Sequence, residues 1–381
     1  MTEPDAEPQP RARVQRPAGE RQEQAGASNR PLRLAIVGAT GAVGEEMRRL
    51  LVERAFPIDG DPVMVASERS AGRRIRYGDH DVEVVTLAPE VFDRVDLALF
   101  SAGSDVSREW APIAAGRGAT VVDNSSAWRG DPDVPLVVTE VNPHALTTRP
   151  IGIVANPNCT TMVLTVAVKP LHDAFGLIAM VATSYQSASG AGQKGITELI
   201  EQTRKLVEDP DMLRRRGADA ATSVQPEQFS KAVALNVLAH CGSFTDERYT
   251  DEEWKLVNES RKILELPALQ VSPTCVRVPV AVGHSIAARL TFAREPTVAD
   301  ALAAVDAAPG LVVEDGTGQD GEPLAYPTPL ESAGRDEVFV GRVRRDLADP
   351  HSLNVWVSGD NLLKGAALNT VQIAELLAPE L

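Results

Sequence analysis

Cys159, Cys241 and Cys275 are the three cysteines of the 381-residue chain, and only Cys159 stands where a thiol can act as a nucleophile. It follows the apolar run 151–155 and the break Asn156-Pro157-Asn158, and it precedes a stretch of helical character over 160–175. A thiol at a helix N-terminus feels the partial positive charge there, which favours the thiolate. Asn158 and nearby backbone N–H groups could then receive a developing oxyanion. Cys275 lies inside an alternating run and reads as a small buried hydrophobe, a reading that extends to Cys241.

A second element with chemical potential lies at the other end of the first apolar run. Residues 34–37 lead directly into Gly38-Ala39-Thr40-Gly41-Ala42-Val43-Gly44. Glycines at this spacing allow a tight turn and a close backbone approach to a pyrophosphate, which then faces the N-terminus of the next helix. The spacing is G-x-x-G-x-x-G, and a glycine loop alone is also what any strand-to-helix turn favours. The second strand, expected over 63–66, runs into Ser67-Glu68-Arg69-Ser70. Glu68 suits the ribose 2′-OH of NAD, whereas Arg69 flanked by hydroxyls suits a 2′-phosphate better, so NADP is the expected cofactor. The plain alternative is a polar loop with a surface arginine.

These groups need a frame. Short apolar runs at 34–37, 63–66, 82–85, 97–100, 120–122 and 151–155 alternate with helical stretches such as 110–115, which implies βαβ units around a parallel sheet. Beyond Cys159 the texture changes to longer runs at 177–183, 274–282 and 285–292, then to a helical period over 361–377. The expected fold is α/β: a Rossmann-like NADP-binding domain over 31–159, rejoined by a C-terminal helix at 360–381, plus an α+β catalytic and dimerisation domain over 160–359. Residues 1–30 carry almost nothing apolar and are expected to form a disordered tail.

Composition narrows the function classes. A length of 381 residues favours two domains, and 43% hydrophobic with 24% charged residues is ordinary for a soluble globular chain. The net charge of −15 opposes non-specific binding to nucleic acid or to anionic membranes. Three cysteines make no disulfide framework and stand at no metal-ligand spacing, so a reducing compartment and no metal are expected. With no secretory h-region and no run of about 20 apolar residues, the expected location is the cytoplasm.

The motif Asn156-Pro157-Asn158-Cys159-Thr160-Thr161 resembles that of the aspartate-semialdehyde dehydrogenase family. Asn124-Ser125-Ser126-Ala127-Trp128-Arg129, Tyr185-Gln186-Ser187-Ala188-Ser189-Gly190, Arg277-Val278-Pro279-Val280, Gly283-His284-Ser285 and Ser358-Gly359-Asp360-Asn361 match the same family in the same order. The resemblance runs from about residue 32 to the C-terminus.

The resemblance implies that Cys159 attacks the acyl phosphate of aspartyl phosphate, that phosphate leaves, and that the thioester is reduced by NADPH to aspartate semialdehyde. Such chemistry splits one hard reduction into two easier steps. It implies His284 as the general acid/base and Gln186 as the group that orients the substrate. Arg277 is implied to grip the α-carboxylate, Arg129 and Lys255 the phosphate, and Glu252 the ammonium group. For the cofactor it implies Gly38, Thr40, Gly41, Ala42 and Val43 around the pyrophosphate and Ser189, Gly190 and Asn361 near the nicotinamide, while Arg69 and Ser70 are expected at the 2′-phosphate from their own chemistry. The implied assembly is a homodimer or a dimer of dimers. The implied role lies in lysine, diaminopimelate, threonine, methionine and isoleucine synthesis.

Each assignment has a plainer counterpart. Lys255 lies three residues after Glu252, so an i,i+3 ion pair is available. Thr250 and Glu253 form a capping box, which leaves Glu252 free. Seven residues of straight strand separate Arg277 from His284 by about 23 Å, so both reach one site only if the chain bends near Pro279 and Gly283. The nearest rival is N-acetyl-γ-glutamyl-phosphate reductase, whose glycine loop usually carries an aromatic residue. A glyceraldehyde-phosphate type dehydrogenase shares the Cys and His logic but not the flanking motifs. A non-catalytic dinucleotide sensor on the same scaffold stays open too.

Overall fold

Short apolar runs bounded by glycine and polar turns become the strands of two sheets. The structure, a computed structural model, describes residues 30–245, 247–319 and 321–381. The expected tail lies outside them apart from Arg30, which pairs with Asp96 at 2.6 Å.

The first sheet collects β1 (Leu34–Val37), β2 (Val63–Val65), β3 (Arg74–Tyr77), β4 (His80–Val85), β5 (Leu97–Phe100), β6 (Thr120–Asp123) and β7 (Ile153–Ala155). Their order is β3-β4-β2-β1-β5-β6-β7, parallel throughout except for the β3–β4 hairpin at the edge. β1, β5 and β6 are buried along their whole length, as strands covered on both faces must be. α1 (Ala42–Glu53) packs on one face through Met47, Leu50 and Leu51, and α2 (Ser104–Gly116) on the other through Ala111 and Ala114.

α3 (Cys159–Phe175) leads from this sheet into the second. Asn158 caps it, its Oδ1 accepting from the backbone N–H of Thr160 at 3.0 Å and of Thr161 at 3.2 Å. Gly176, left-handed at φ 75°, ends it. The long helix lies on a six-stranded mixed sheet built from β8 (Leu177–Gln186), β9 (Gln270–Arg277), β10 (His284–Phe292), β11 (Leu311–Val313) and two more strands. The small hairpin of β12 (Gly316–Thr317) and β13 (Leu324–Ala325) stands apart from the sheet. β14 (Val338–Arg345) and β15 (Ser352–Gly359) complete it in the order β11-β14-β15-β10-β8-β9.

After β8 come α4 (Gly192–Leu206), α5 (Pro210–Arg215) and α6 (Gly217–Ser223), gathered around Leu199, Leu206 and Val233. α7 (Asp251–Ile263) and α8 (Val298–Asp306) flank α3 on the sheet's inner face, and the short α9 (Pro329–Ser332) lies beside β15. On the opposite sheet face α9 covers one end, Ser332 bonding the Ser358 hydroxyl at 2.9 Å, while Val181 is 48% exposed and Tyr185 and Trp356 are in contact. α10 (Leu368–Leu377) returns to the first sheet and packs beside α1 through Leu368, Val371, Ile373 and Leu377.

The fold class expected from the sequence is the one found. Two element boundaries differ for a physical reason. The strand expected over 274–282 ends at Arg277, because residues 278–283 leave the sheet to cross the end of β8. The helix expected over 361–377 opens instead with a π-helical turn at Leu363–Ala367, where Gly365 presses against Cys159.

Candidate active site

The chain crossing over β8 resolves the separation of Arg277 from His284. β8 pairs in parallel with β9, placing Gln186 opposite Arg277, and antiparallel with β10, placing Tyr185 opposite Ser285. The connection 278–283 therefore passes over the C-terminal end of β8. It is held there by Val278 N–H to the carbonyl of Gln186 at 3.0 Å and by Ala188 N–H to the carbonyl of Val280 at 2.7 Å. Gly283, at φ 93°, has no room for a side chain because a Cβ would lie 2.5 Å from the carbonyl oxygen of Pro329. Arg277, Gln186 and His284 thus meet at one edge.

Cys159 opens α3 beside this edge and is partly accessible. Glu252, in the first turn of α7, ties the surrounding groups together. Its Oε1 accepts from Nδ2 of Asn158 at 2.9 Å and from Nε2 of Gln186 at 3.0 Å, and its Oε2 accepts from Lys255 at 3.0 Å. Gln186 also donates to the Thr160 hydroxyl. The capping box of Thr250 and Glu253 starts the helix as the sequence implied. Lys255 reaches Asp251 at 2.8 Å as well as Glu252, so it forms the local ion pairs that its spacing allowed.

His284 is buried, and its Nδ1 accepts from the backbone N–H of Ser187 at 3.0 Å. A ring nitrogen accepting from a backbone N–H carries no proton itself, so the neutral ring presents Nε2–H. Asn361 Oδ1 accepts from the hydroxyls of Ser187 and Ser189 and from Gly283 N–H, at 3.0, 2.9 and 2.9 Å. Arg277 donates from Nη1 to the carbonyl of Ser187 at 2.6 Å and lies 5.6 Å over the Phe229 ring. A Cβ on Gly190 would come within 2.7 Å of that Nη1, so the glycine leaves space for the guanidinium.

Arg129 is held on three sides, by the carbonyls of Asn156 and Asn124 and by the Glu259 carboxylate. It lines two cavities. The one of about 700 Å³ also takes in Lys255, Trp254 and Lys262. The other, of about 240 Å³, joins Cys159, Asn158, Ser189, Gly190 and Asn361 to Val43 and Ser101 beside the glycine loop.

Burial sets the charges here. It pushes the Cys159 thiol up to about 11, with Glu252 adding to the rise and Arg129 and Arg277 opposing it. The helix-start position therefore does not offset the effect of burial on this thiol. Burial, reinforced by Arg277, lowers His284 to about 3, so the ring is neutral at physiological pH. Burial pushes Glu252 up, but Lys255 and the bonds from Asn158 and Gln186 outweigh it and hold the carboxyl at about 2.

The glycine loop fits a dinucleotide. Gly38 stands at φ 88°, and a Cβ there would meet the Ser101 carbonyl oxygen at 2.2 Å. A Cβ on Gly44 would meet the Gly38 carbonyl oxygen at 2.3 Å, so helix and loop pack only without side chains. Thr40 and Gly41 are exposed at the turn, with Ala42 and Val43 half-buried at the start of α1. Past the end of β2, Arg69 is exposed with no ion pair among the described residues, and Ser70 is buried next to it. Among the described residues no group of His, Cys, Asp or Glu converges to hold a metal ion.

Three participants escaped sequence reasoning. Ser187 sets the imidazole tautomer through a backbone N–H, which leaves no trace in residue type. Gly365 would place a Cβ 2.8 Å from that of Cys159. Glu259 left one legible signal: a carboxylate among Leu256, Val257, Ser260 and Ile263 on the buried face of α7.

A nucleophile-bearing helix start and a dinucleotide loop on one cavity, with Arg129 on its wall and Arg277 and His284 at the neighbouring sheet end, define a dinucleotide-dependent dehydrogenase that works through a covalent intermediate. The sequence profile described as semialdehyde dehydrogenase, NAD binding domain, matches residues 33–149, and that of the semialdehyde dehydrogenase dimerisation domain matches residues 168–364. The chain belongs to the aspartate-semialdehyde dehydrogenase family. It is 48% identical to the aspartate-semialdehyde dehydrogenase of Streptomyces akiyoshiensis over 352 residues, 92% of this chain and 99% of the relative. A crystal structure of aspartate semialdehyde dehydrogenase II from Vibrio cholerae, complexed with ASA, superposes with a TM-score of 0.83 at 42% identity, covering 91% of this chain and 98% of the other. One from Candida albicans, with NADP, gives 0.69 at 25% identity, covering 92% and 99%.

Proposed function

We propose that the protein catalyses the NADPH-dependent reductive dephosphorylation of L-aspartyl-4-phosphate to L-aspartate 4-semialdehyde through a thioester on Cys159. The observation that carries this reading is the cavity that joins Cys159 to the glycine loop. Cys159 attacks the acyl carbon, its thiol proton leaves with the departing phosphate, and the thioester forms. Bound NADPH supplies the hydride that reduces the thioester. His284 keeps its proton and donates a hydrogen bond from Nε2–H to the thiohemiacetal oxyanion, which collapses to the semialdehyde as Cys159 departs as thiolate and is protonated from solvent. Asn158 Nδ2 has one N–H beyond its bond to Glu252, and that donor serves the same oxygen.

Arg277 forms a fork for the α-carboxylate, and Gln186 and Glu252 orient the amino-acid end. Arg129 and Lys255, on the wall of the larger cavity, hold the phosphate. Gly38, Thr40, Gly41, Ala42 and Val43 hold the cofactor pyrophosphate, Arg69 and Ser70 its 2′-phosphate, and Ser189, Gly190 and Asn361 its nicotinamide end. An acylated amine would have no use for Glu252, which favours aspartyl over N-acetylglutamyl phosphate. The domain division is read as 31–159 with 360–381 for cofactor and 160–359 for catalysis and dimerisation.

The outer face of the six-stranded sheet, with Val181, Tyr185 and Trp356, is read as the surface where a second copy docks, giving a homodimer or a dimer of dimers. The net charge of −15 disfavours nucleic acid and anionic membranes as partners, and the enzyme is read as cytoplasmic. Its product feeds synthesis of lysine, diaminopimelate, threonine, methionine and isoleucine.

The test is phosphate-dependent NADP reduction with L-aspartate semialdehyde, run beside Cys159→Ser. Turnover by the wild type and none by the variant is the expected result. Turnover only with N-acetylglutamate semialdehyde would move the protein to the rival activity, and inactivity on both would favour a sensor.

A further inference from the structure

α7 carries, beyond Glu252, a buried carboxylate that the reaction above does not use. Glu259 is 4% exposed and lies two turns beyond Glu252. Its Oε1 accepts from Nη1 of Arg129 at 3.1 Å, and its Oε2 accepts from the backbone N–H of Asn158 at 2.6 Å. One side chain therefore bonds both to an arginine on the cavity wall and to the residue that precedes Cys159.

The rest of the arrangement makes the connection stiff. Arg129 Nε donates to the carbonyl of Asn156 at 2.9 Å and Nη2 to that of Asn124 at 2.8 Å, just past the ends of β7 and β6. Lys262, one turn further along α7, donates to the carbonyls of Arg129, Asp131 and Val134 at 3.0, 2.7 and 2.8 Å. α7 thus grips the 129–134 segment by its backbone and Arg129 by its side chain. A guanidinium fork offers five N–H groups, so donors remain after these three bonds, and Arg129 lines both cavities.

A long flexible side chain loses rotamer entropy when it is fixed, and a charge-assisted bond from a buried carboxylate offsets that loss before a ligand arrives. Removing one partner of such a buried pair leaves the other charge uncompensated.

We propose that Glu259 is a positioning residue for the phosphate: by bonding Arg129 and the Asn158 N–H with one carboxylate, it fixes the phosphate-holding guanidinium relative to Cys159. The inference rests on the reading that Arg129 holds the phosphate. Glu259 itself touches neither substrate nor cofactor.

The experiment compares Glu259→Gln, Glu259→Asp and Arg129→Ala in the oxidative direction, measuring KM separately for phosphate, semialdehyde and NADP, together with unfolding of each variant. Glu259→Gln replaces an acceptor with an N–H₂ group that faces one of two donors. The expected result is a phosphate KM raised about 10-fold or more, as for the loss of one charge-assisted bond, with the other two KM values unchanged. Glu259→Asp keeps the charge and gives a smaller rise.

A phosphate KM within about 2-fold of wild type in Glu259→Gln, beside a raised value in Arg129→Ala, would overturn the proposal while leaving the Arg129 reading intact. An unchanged phosphate KM in Arg129→Ala would instead remove that reading, and the proposal with it. If Glu259→Gln does not fold, Glu259→Asp decides by the same criterion.

Discussion

Gly365 and Cys159 approach so closely that a β-carbon on Gly365 would lie 2.8 Å from that of Cys159 and 3.4 Å from the Asp360 carbonyl oxygen. The π-helical turn that carries Gly365 is a rare conformation found mostly at functional sites, and here it brings bare backbone against the nucleophile. Gly365→Ala must push Cys159 or the turn aside. The expected outcome is a kcat reduced by about 100-fold, as when a reacting atom is displaced by about 1 Å. The unfolding midpoint shifts far less, and steady-state kinetics with thermal unfolding check both.

Burial of neutral His284 makes stability depend on pH. The folded pKa of about 3 lies below the ordinary 6.5, so between these values the unfolded chain binds the extra proton. Stability from this group is present above pH 6.5 and falls as pH drops toward 3, by on the order of 1 kcal/mol per pH unit. Glu252, held at about 2, adds a loss of the same sign only below about pH 4.5. Urea unfolding between pH 7 and 5 should therefore show a shallower slope in His284→Asn than in wild type. Equal slopes would mean that the imidazole is not buried neutral.

Arg69 tests the choice of cofactor. It is exposed beyond β2, among Ser67, Glu68 and Ser70. Arg69→Ala should raise KM for NADP by about 10- to 100-fold, the range of one or two charge-assisted bonds, and leave KM for NAD nearly unchanged. A uniform effect on both dinucleotides would place the 2′-phosphate elsewhere.

What the sequence revealed was local. The capping box at Thr250 and Glu253, the start of α3 behind Asn158 and the glycine turn at Gly38 each depend on residues a few positions apart, and each appears in the structure. What it concealed was long-range. Residues 278–282, Val-Pro-Val-Ala-Val, are apolar enough to read as strand, and only the sheet order, with β8 between β9 and β10, makes them a crossing. β3 is too polar along its length to announce itself, since its Arg74 and Arg76 face water at the sheet edge. Cys159 sits at a helix start that favours the thiolate, yet its burial, which spacing does not reveal, raises the pKa. Glu259 acts on Arg129 across 130 residues of sequence.

The covalent intermediate is the centre of the account, and it can be trapped. Mixing the enzyme with L-aspartate semialdehyde and NADP in the absence of phosphate should give a burst of NADPH of about one per active site. Peptide mass spectrometry of the quenched protein should then find an aspartyl group on the peptide containing Cys159, and none after Cys159→Ser. A burst without an adduct at Cys159, or an adduct at Cys241 or Cys275, would contradict the assignment of the nucleophile.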